Sequence, residues 1–352
     1  MIKKLLFLMV DFNGGGAEGV FVQLANYFSS KYEVHFIVLR SSGPNFNKLN
    51  KNIKLKELKK SSSLSSIFEI NSYIRRNKID IAIGTLAMAY AISLVSLVGT
   101  KKCKYISRIG SIITSNLSDI NFIKRLIMTL YQKVLNFSNV VITQSEAMND
   151  DLKKYINKNS EVIYNPISLN KILRLAKEKS SIILDSNYYN IVSVGRLAHE
   201  KDFKTAILSV AKLKNKNKNI KYYVIGDGEL RDKLDKYSIS LGLKEDIIFT
   251  GHLSNPYPIM KRANVLLSTS LYEGFSNVIL ESLALNVPVI ATDCPGGNKE
   301  IIINRKNGFL VKVGDADDIV DKLMLVEKQK YYSIDVSKFE INLIGKEYEK
   351  YF

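Results

Sequence analysis

Residues 3–28 read "KKLLFLMVDFNGGGAEGVFVQLANYF". An apolar run of strand length, a glycine cluster and a segment with helical apolar spacing follow one another, which makes one βα unit. Gly14, Gly16 and Gly19 spell G-x-G-x-x-G across the turn, the spacing that seats a dinucleotide pyrophosphate on a helix N-terminus. That fingerprint also needs a carboxylate about 20 residues further on, for the ribose. The second strand, "EVHFIVLR" (33–40), ends instead in Arg40, which leaves a 2′-phosphate and hence an NADP reading open. Glu18 puts a negative charge in the first helical turn, which suits the helix dipole but opposes a nearby pyrophosphate. A tight turn with no ligand is the plainer alternative.

Working outward, short apolar runs alternate with helical patterns along nearly the whole chain. Strand candidates in the first half are "KLLFLMV", "EVHFIVL", "DIAIG", "KYISRI", "NVVITQS" and "EVIYN". In the second half they are "NIVSVG", "KYYVIG", "IIFTG", "VLLSTS", "PVIAT" and "GFLVKV". Repeated βα units imply mostly parallel sheets covered by helices. The expected organisation is α/β: a doubly wound domain over 1–165, a linker over 166–189 and a second doubly wound domain over 190–337. The closing stretch 338–352, "KFEINLIGKEYEKYF", has a helical pattern. Residues 81–100, "IAIGTLAMAYAISLVSLVGT", are uncharged and long enough to span a bilayer. A β-branched strand ending near Gly84, followed by a buried helix stopped by Gly99, reads them better.

Composition narrows the class. The chain has 352 residues, 46% of them hydrophobic and 24% charged, enough for about two domains at roughly 150 residues each. Cys103 and Cys294 lie far apart, so a disulfide framework is not expected and a reducing cytoplasm fits. His35, His199 and His252 have no metal-ligand spacing, and no cleavable signal follows Lys3 and Lys4. The net charge is +17, and residues 1–174 carry +14 of it, with 25 Lys and Arg against 11 Asp and Glu. Such asymmetry points to an anionic partner of the first half: nucleic acid, a membrane surface or a phosphate-bearing lipid. A lysine-rich composition throughout would not by itself favour one half.

Three stretches of the second half carry chemistry. "SVGRLAHEKDF" (193–203) places Gly195, Arg196 and Lys201 between a strand and a helix, where a forked guanidinium and an ammonium suit a diphosphate; solvated loop cations are the alternative. "YEGFSNVILES" (272–282) sets Glu273 at a strand end and Glu281 two turns into the next helix. Carboxylates there suit sugar or ribose hydroxyls, although paired acids on a helix are commonly only surface charges. "CPGGNKE" (294–300) puts Gly296 and Gly297 after another strand, at the edge where open α/β sheets bind ligands. The D-x-D of Asp315 and Asp317 opens a helix and reads as a cap rather than a metal motif.

Together, Gly195-Arg196…Lys201, Glu273 to Asn277…Glu281 and Gly296-Gly297…Glu300 resemble glycosyltransferase family 4, retaining enzymes of the GT-B fold. "GGGAEGV" (14–20), "TQSEAMNDDL" (143–152) and "VIYNPIS" (162–168) extend the resemblance over nearly the whole chain. It implies two Rossmann-like domains facing across a cleft, with the C-terminal helix returning to the first. It also implies that Arg196 and Lys201 stabilise the departing nucleotide diphosphate and that Glu273 meets the donor sugar. Glu281 would hold the ribose, and the amides from Gly274 through Phe275, Ser276 and Asn277 to Val278 the sugar and distal phosphate. Gly195, with Gly15 and Gly16 of the first loop, would approach the donor. "GHLSN" (251–255), with His252, would seat the base. No histidine stands where some members place one near the donor sugar, so Arg108 and Ser111 of "SRIGS" (107–111) are the expected acceptor contacts.

The implied substrates are a nucleotide-diphosphate sugar, a UDP-hexose or UDP-N-acetylhexosamine, and a polyprenyl-diphosphate-linked saccharide of surface-glycan synthesis. No cofactor and no metal is implied. "INFIKRLIMTLYQKVLNF" (120–137) aligns Ile123, Ile127, Leu130 and Val134 beside Lys124, Arg125 and Lys133, which reads as a basic helix lying on an anionic leaflet, or as an ordinary helix packed on its sheet. The expectation is a cytoplasmic enzyme peripheral to the inner face of the plasma membrane. The competing classes are an NADP-dependent oxidoreductase and a basic nucleic-acid-binding protein, for which no binding motif is seen. Hydrolysis of glycosides would need carboxylates flanking the scissile bond, which one loop–helix unit does not supply.

Overall fold

The computed structural model describes the chain except residues 1, 14, 119–120, 217–218 and 327–334, and the side chains of 116–118. The chain divides into two compact units, Met1–Pro166 with Phe339–Phe352, and Ile167–Lys338.

Unit 1 runs β1 (Lys4–Met9), α1 (Gly16–Phe28), β2 (Glu33–Val38), β3 (Lys54–Glu57), α2 (Ile67–Asn77), β4 (Ile81–Thr85), α3 (Ala87–Val98), β5 (Lys104–Arg108), α4 (Ile113–Ser118), α5 (Phe122–Gln132), β6 (Val140–Thr143), α6 (Glu146–Leu152) and β7 (Glu161–Val162). The seven strands are parallel in the order β3-β2-β1-β4-β5-β6-β7. Side chains alternate across a strand, and β1 shows the consequence. Leu5, Phe7 and Met9 join one core with Phe21 and Phe28 of α1, whereas Leu6 and Leu8 join another with Ile70 and Ile74 of α2 and Ile92 and Val95 of α3. Both faces are covered, so the strand reads as a continuous apolar run. The edge strand β3 is "KLKE", whose charge hides it from a search for apolar runs. Residues 81–100 divide into β4 and α3 as expected, and no helix among the described residues is long and apolar enough to cross a membrane.

Unit 2 runs α7 (Leu169–Leu175), β8 (Tyr189–Val194), α8 (Phe203–Lys214), β9 (Ile220–Ile225), α9 (Arg231–Ser240), β10 (Ile247–Gly251), α10 (Tyr257–Met260), β11 (Val265–Ser268), α11 (Asn277–Ala284), β12 (Val289–Thr292), α12 (Asn298–Ile301), β13 (Gly308–Val311) and α13 (Ala316–Val326). Its parallel sheet has the order β10-β9-β8-β11-β12-β13. The 166–189 stretch is more than a tether. It holds α7, and Asn255 Nδ2 donates to the Leu175 carbonyl and the Glu178 carboxylate, both at 2.9 Å. Asp315 Oδ1 accepts the amides of Asp317 (3.1 Å) and Asp318 (3.0 Å) at the start of α13, so the D-x-D does cap a helix.

The chain then returns to unit 1. α14 (Ile341–Glu349) buries Ile344 and Tyr348 in the core that holds Phe7 and Phe28, and Phe352 packs on Phe28 with ring centroids 4.9 Å apart. In both sheets the order reverses beside the first strand of the unit, between β1 and β4 and between β8 and β11. In a doubly wound sheet such a switch point opens a crevice at the carboxyl ends of the strands, and ligands bind there.

Candidate active site

Lys201 and Glu273 meet across the switch point of unit 2. Lys201 closes a 3-10 turn after β8, and Glu273 follows β11; Lys201 Nζ lies 2.6 Å from Glu273 Oε2. Ser270 Oγ donates to the same carboxylate oxygen at 3.1 Å. The two charged side chains are 26% and 16% exposed, so the pair is sheltered yet open to a ligand. Burial pulls the Lys201 ammonium down, but the charge and hydrogen bond of Glu273 outweigh it and hold the group above its ordinary value. Lys201 therefore stays cationic throughout the neutral range.

The neighbouring strand ends are laced together by backbone. The Leu271 amide donates to the Glu200 carbonyl (2.8 Å), Glu273 to Pro295 (3.0 Å) and Gly297 to Gly274 (3.0 Å). Gly296 has φ +136°, and a Cβ on it would stand 1.5 Å from the Glu273 carbonyl oxygen. Only glycine permits that approach, which fixes where Glu273 sits. Gly195, Phe275, Ser276, Asn277 and Val278 lie on the same edge; Phe275 and Ser276 are buried, and Asn277 opens α11. Gly251 accepts the Gly226 amide at 2.9 Å, and the exposed His252 follows it.

Three features of this edge escape the sequence reading. Arg196 is not a bare cation: its Nη2 lies 2.6 Å from Glu200 Oε1. Burial raises the Glu200 carboxyl, and the Arg196 hydrogen bond outweighs it, so the group sits below its ordinary range. Both candidate diphosphate ligands thus come paired with a carboxylate. Second, Tyr257 OH donates to Glu281 Oε1 at 3.0 Å; burial, then the charge of Glu281, keeps that phenol protonated. Third, the turn Gly226-Asp227-Gly228 packs on the Gly195 loop, with Leu197 donating to the Asp227 carbonyl at 2.9 Å. Its signal was a second glycine-rich strand end, "IGDGEL" (225–230).

Unit 1 treats its expected residues unequally. Gly15 is the N-cap of α1 and is exposed with Gly16, while Gly14 lies outside the described residues. Arg40, the residue behind the NADP reading, lies 3.3 Å from Asp11. His35 is inside the core and bonded to Tyr73 (2.8 Å) and Glu33 (2.9 Å). Arg108, expected at an acceptor, is 1% exposed. Its guanidinium donates to Tyr348 (3.2 Å), Thr85 (3.1 Å) and Asn165 (2.6 Å), which ties β5 to the C-terminal helix. The fork that would suit a phosphate is occupied internally, by Tyr348, Thr85 and Asn165. Ser111 is half-buried just beyond.

Comparison with known proteins gives the chemistry of this edge a family. Residues 14–171 match the domain described as Glycosyltransferase Family 4, and residues 176–340 match glycosyl transferases group 1. The chain is a glycosyltransferase. Among curated relatives, an uncharacterized glycosyltransferase of Methanocaldococcus jannaschii is 28% identical over 52% of this chain and 47% of its own length. Two Campylobacter jejuni enzymes match over far more. An α-1,4-N-acetyl-D-galactosaminyltransferase named for a GalNAc-containing diNAcBac-PP-undecaprenol is 26% identical over 99% of this chain and 98% of its own. An N-acetylgalactosamine-N,N′-diacetylbacillosaminyl-diphospho-undecaprenol 4-α-N-acetylgalactosaminyltransferase is 28% identical over 92% and 89%. Among solved structures, Anabaena HepE with UDP-glucose has TM-score 0.81 at 18% identity, covering 99% of this chain and 98% of its own. Staphylococcus aureus TarM has TM-score 0.77 at 13% identity, covering 99% of both chains, in a complex that includes UDP. These likenesses establish the GT-B fold.

In this glycosyltransferase the strand ends of unit 2 bring Gly195, Arg196, Lys201, Glu273 and the Gly274–Val278 segment to one edge. Glu281 faces Tyr257 rather than a bare helix surface.

Proposed function

We propose that this glycosyltransferase moves a hexosyl or N-acetylhexosaminyl unit from a UDP-sugar, with retention, to a polyprenyl-diphosphate-linked saccharide of a surface glycan. The observation that carries the reading is the Lys201–Glu273 pair at the switch point. An arriving diphosphate competes for Lys201, and the released Glu273 carboxylate can accept hydrogen bonds from sugar hydroxyls. The bond from the anomeric carbon to the diphosphate oxygen breaks through an oxocarbenium-like state, and both electrons leave with the diphosphate. Lys201 and Arg196, with the amides of Gly195 and of Gly274 to Val278, stabilise that growing charge. The acceptor hydroxyl then adds on the face the diphosphate left, passing its proton to the departing phosphate oxygen. Glu281, held by Tyr257, takes the ribose, and His252 lies beside the base. Charge stabilisation by these groups requires no metal and no further cofactor. The UDP donor is supported by the complexes of HepE and TarM, and the lipid-linked acceptor by the names of the two Campylobacter relatives.

The same reading places the enzyme on the inner face of the plasma membrane, through α5. Phe122 (80%), Ile123 (71%), Ile127 (60%) and Leu130 (53%) are exposed there, beside exposed Lys124 and Arg125. An apolar face flanked by cations suits the interface of an anionic leaflet.

The test is a thermal-shift panel of UDP-N-acetylgalactosamine, UDP-N-acetylglucosamine, UDP-glucose, GDP-mannose and NADPH. It is followed by transfer to an undecaprenyl-diphosphate-linked N-acetylhexosamine, with the product's anomeric configuration read by NMR. A UDP-sugar should stabilise the protein and give an α-linked product. Stabilisation by NADPH alone would sink the reading, and an inverted product would remove retention.

A further inference from the structure

The segment that leaves β11, "STSLYEG" (268–274), carries two hydroxyl side chains in a row, Thr269 and Ser270, and both are buried. Burying a hydroxyl is unfavourable unless it is hydrogen-bonded. Serines and threonines often make that bond locally, to a carbonyl three or four residues back, as Ser209 and Ser238 do with Ala206 and Asp235. Thr269 and Ser270 instead reach away from their own strand, in two directions, to the two members of the Lys201–Glu273 pair.

Thr269 Oγ1 donates to the carbonyls of Lys201 (3.0 Å) and Asp202 (2.9 Å). The Leu271 amide donates to the Glu200 carbonyl at 2.8 Å. Three consecutive carbonyls of the Lys201 turn are thus held by the end of β11. Asp202 closes that turn with φ +43°, a region sparsely populated by residues other than glycine, which the surroundings must maintain. Ser270 works on the other partner. Its Oγ donates to Glu273 Oε2 at 3.1 Å, the same oxygen that Lys201 Nζ meets at 2.6 Å. Its carbonyl accepts from Thr292 Oγ1 at the end of β12, at 2.5 Å. Among the described residues no hydrogen bond reaches Glu273 Oε1. The two carboxylate oxygens are therefore unlike: Oε2 is held twice, and Oε1 is open.

We propose that Ser270 is a positioning residue for the donor sugar: its hydroxyl stays on Glu273 Oε2 when a diphosphate draws Lys201 away, and so keeps Oε1 presented to the sugar hydroxyls, while Thr269 holds the Lys201 turn in place. This rests on the transferase reading above, in which Glu273 meets the sugar and Lys201 the diphosphate. Without Ser270, a bound donor would leave the carboxylate with no fixed side-chain partner and free to turn about its own bonds. A hydroxyl suits the task because it fixes one oxygen without adding a charge that would compete with Lys201 for the diphosphate.

The test is a pair of double-mutant cycles on kcat/KM for the UDP-sugar that the panel selects, with circular dichroism showing each variant folded at the assay temperature. Ser270→Ala should lower kcat/KM about 10–100-fold, the worth of one hydrogen bond to a charged group. In a Glu273→Ala background the same change should matter by no more than about twofold, because the hydroxyl acts only through the carboxylate. Ser270→Cys, a weaker donor of similar shape, should fall between wild type and Ser270→Ala, and its effect should vanish in the same background. Thr269→Val should lower kcat/KM about three- to tenfold and lose that effect in a Lys201→Met background. A structural role for Ser270 would instead multiply with Glu273→Ala, and that result would overturn the assignment. A folded Ser270→Ala with wild-type kcat/KM would overturn it as well. Should the panel select a donor other than a UDP-sugar, the UDP reading fails, while the same cycles run with that donor still decide whether Ser270 acts through Glu273.

Discussion

Replacing Lys201 by Met separates what its pair with Glu273 does for the fold from what it does for chemistry. The ammonium and carboxylate are 2.6 Å apart and 26% and 16% exposed. Breaking a fully buried pair costs about 3–5 kcal/mol because the remaining charge is stranded. Partial exposure, and the Ser270 hydroxyl left on Glu273, reduce this to about 2 kcal/mol. For a unit of this size that is a fall in Tm of about 4–8 °C. The chemical effect is larger. Loss of one preorganised group that stabilises developing charge costs about 10²–10³ in kcat. The assay is transfer from the preferred UDP-sugar at a temperature where circular dichroism shows the variant folded. A folded Lys201→Met retaining more than a tenth of wild-type kcat/KM would refute the catalytic assignment and leave a structural salt bridge. pH supplies a second check. The folded pKa of Lys201 is raised, so the stability it contributes is fully present below the unfolded pKa and is lost only as pH rises through the folded one. The difference in Tm between wild type and Lys201→Met should therefore be flat from mildly acidic to mildly alkaline pH, and a slope there would contradict the cationic pair.

Glu33 is the acid-sensitive joint of unit 1. Hydrogen bonds from Lys54 and His35 hold its carboxyl at about 2 against the opposing effect of burial. Because that pKa is depressed, its contribution is present above about pH 4.5 and lost as pH falls toward about 2. The urea midpoint of wild type should fall more steeply over that window than that of Glu33→Gln, and parallel curves would exclude the linkage. Arg108→Met strands Tyr348, Thr85 and Asn165 in the core. It should cost about 3 kcal/mol or more and speed hydrogen exchange in residues 341–349, whereas a raised acceptor KM at unchanged stability would restore Arg108 to the acceptor. Glutamate at Ile123, Ile127 and Leu130 together should leave the melting temperature within about 2 °C, since exposed positions contribute little. It should reduce co-sedimentation with phosphatidylglycerol vesicles at low salt by about 100-fold, as three apolar side chains no longer enter the lipid. Undiminished vesicle binding would take the membrane face away from α5.

The legible part of this protein is whatever depends on local periodicity. β1, β4 and the six strands of unit 2 stand out because a sheet covered on both faces demands apolar side chains at every position. The charged edge strand β3 has one open side and leaves no such trace. Gly195, Lys201, Glu273 and the Gly296–Gly297 turn stand out in the sequence because strand ends that approach one another closely use glycine, and an isolated charge there is conspicuous after an apolar run. Arg108 shows the limit of that logic: a cation at a strand end looks the same in sequence whether it faces a substrate or crosses the core to Tyr348, 240 positions away.

The sequence by itself determined two doubly wound units, the strand-end edge of the second that gathers glycines and charged side chains, and a basic helix with an apolar stripe. These follow from the spacing of residue types, which local geometry dictates. Tertiary structure alone decided partnership: Arg196 with Glu200, Glu281 with Tyr257, and Arg108 with the returning helix. A hydrogen bond needs two groups within about 3 Å, and the folding of a parallel sheet, which sets residues far apart in the chain side by side, creates those distances.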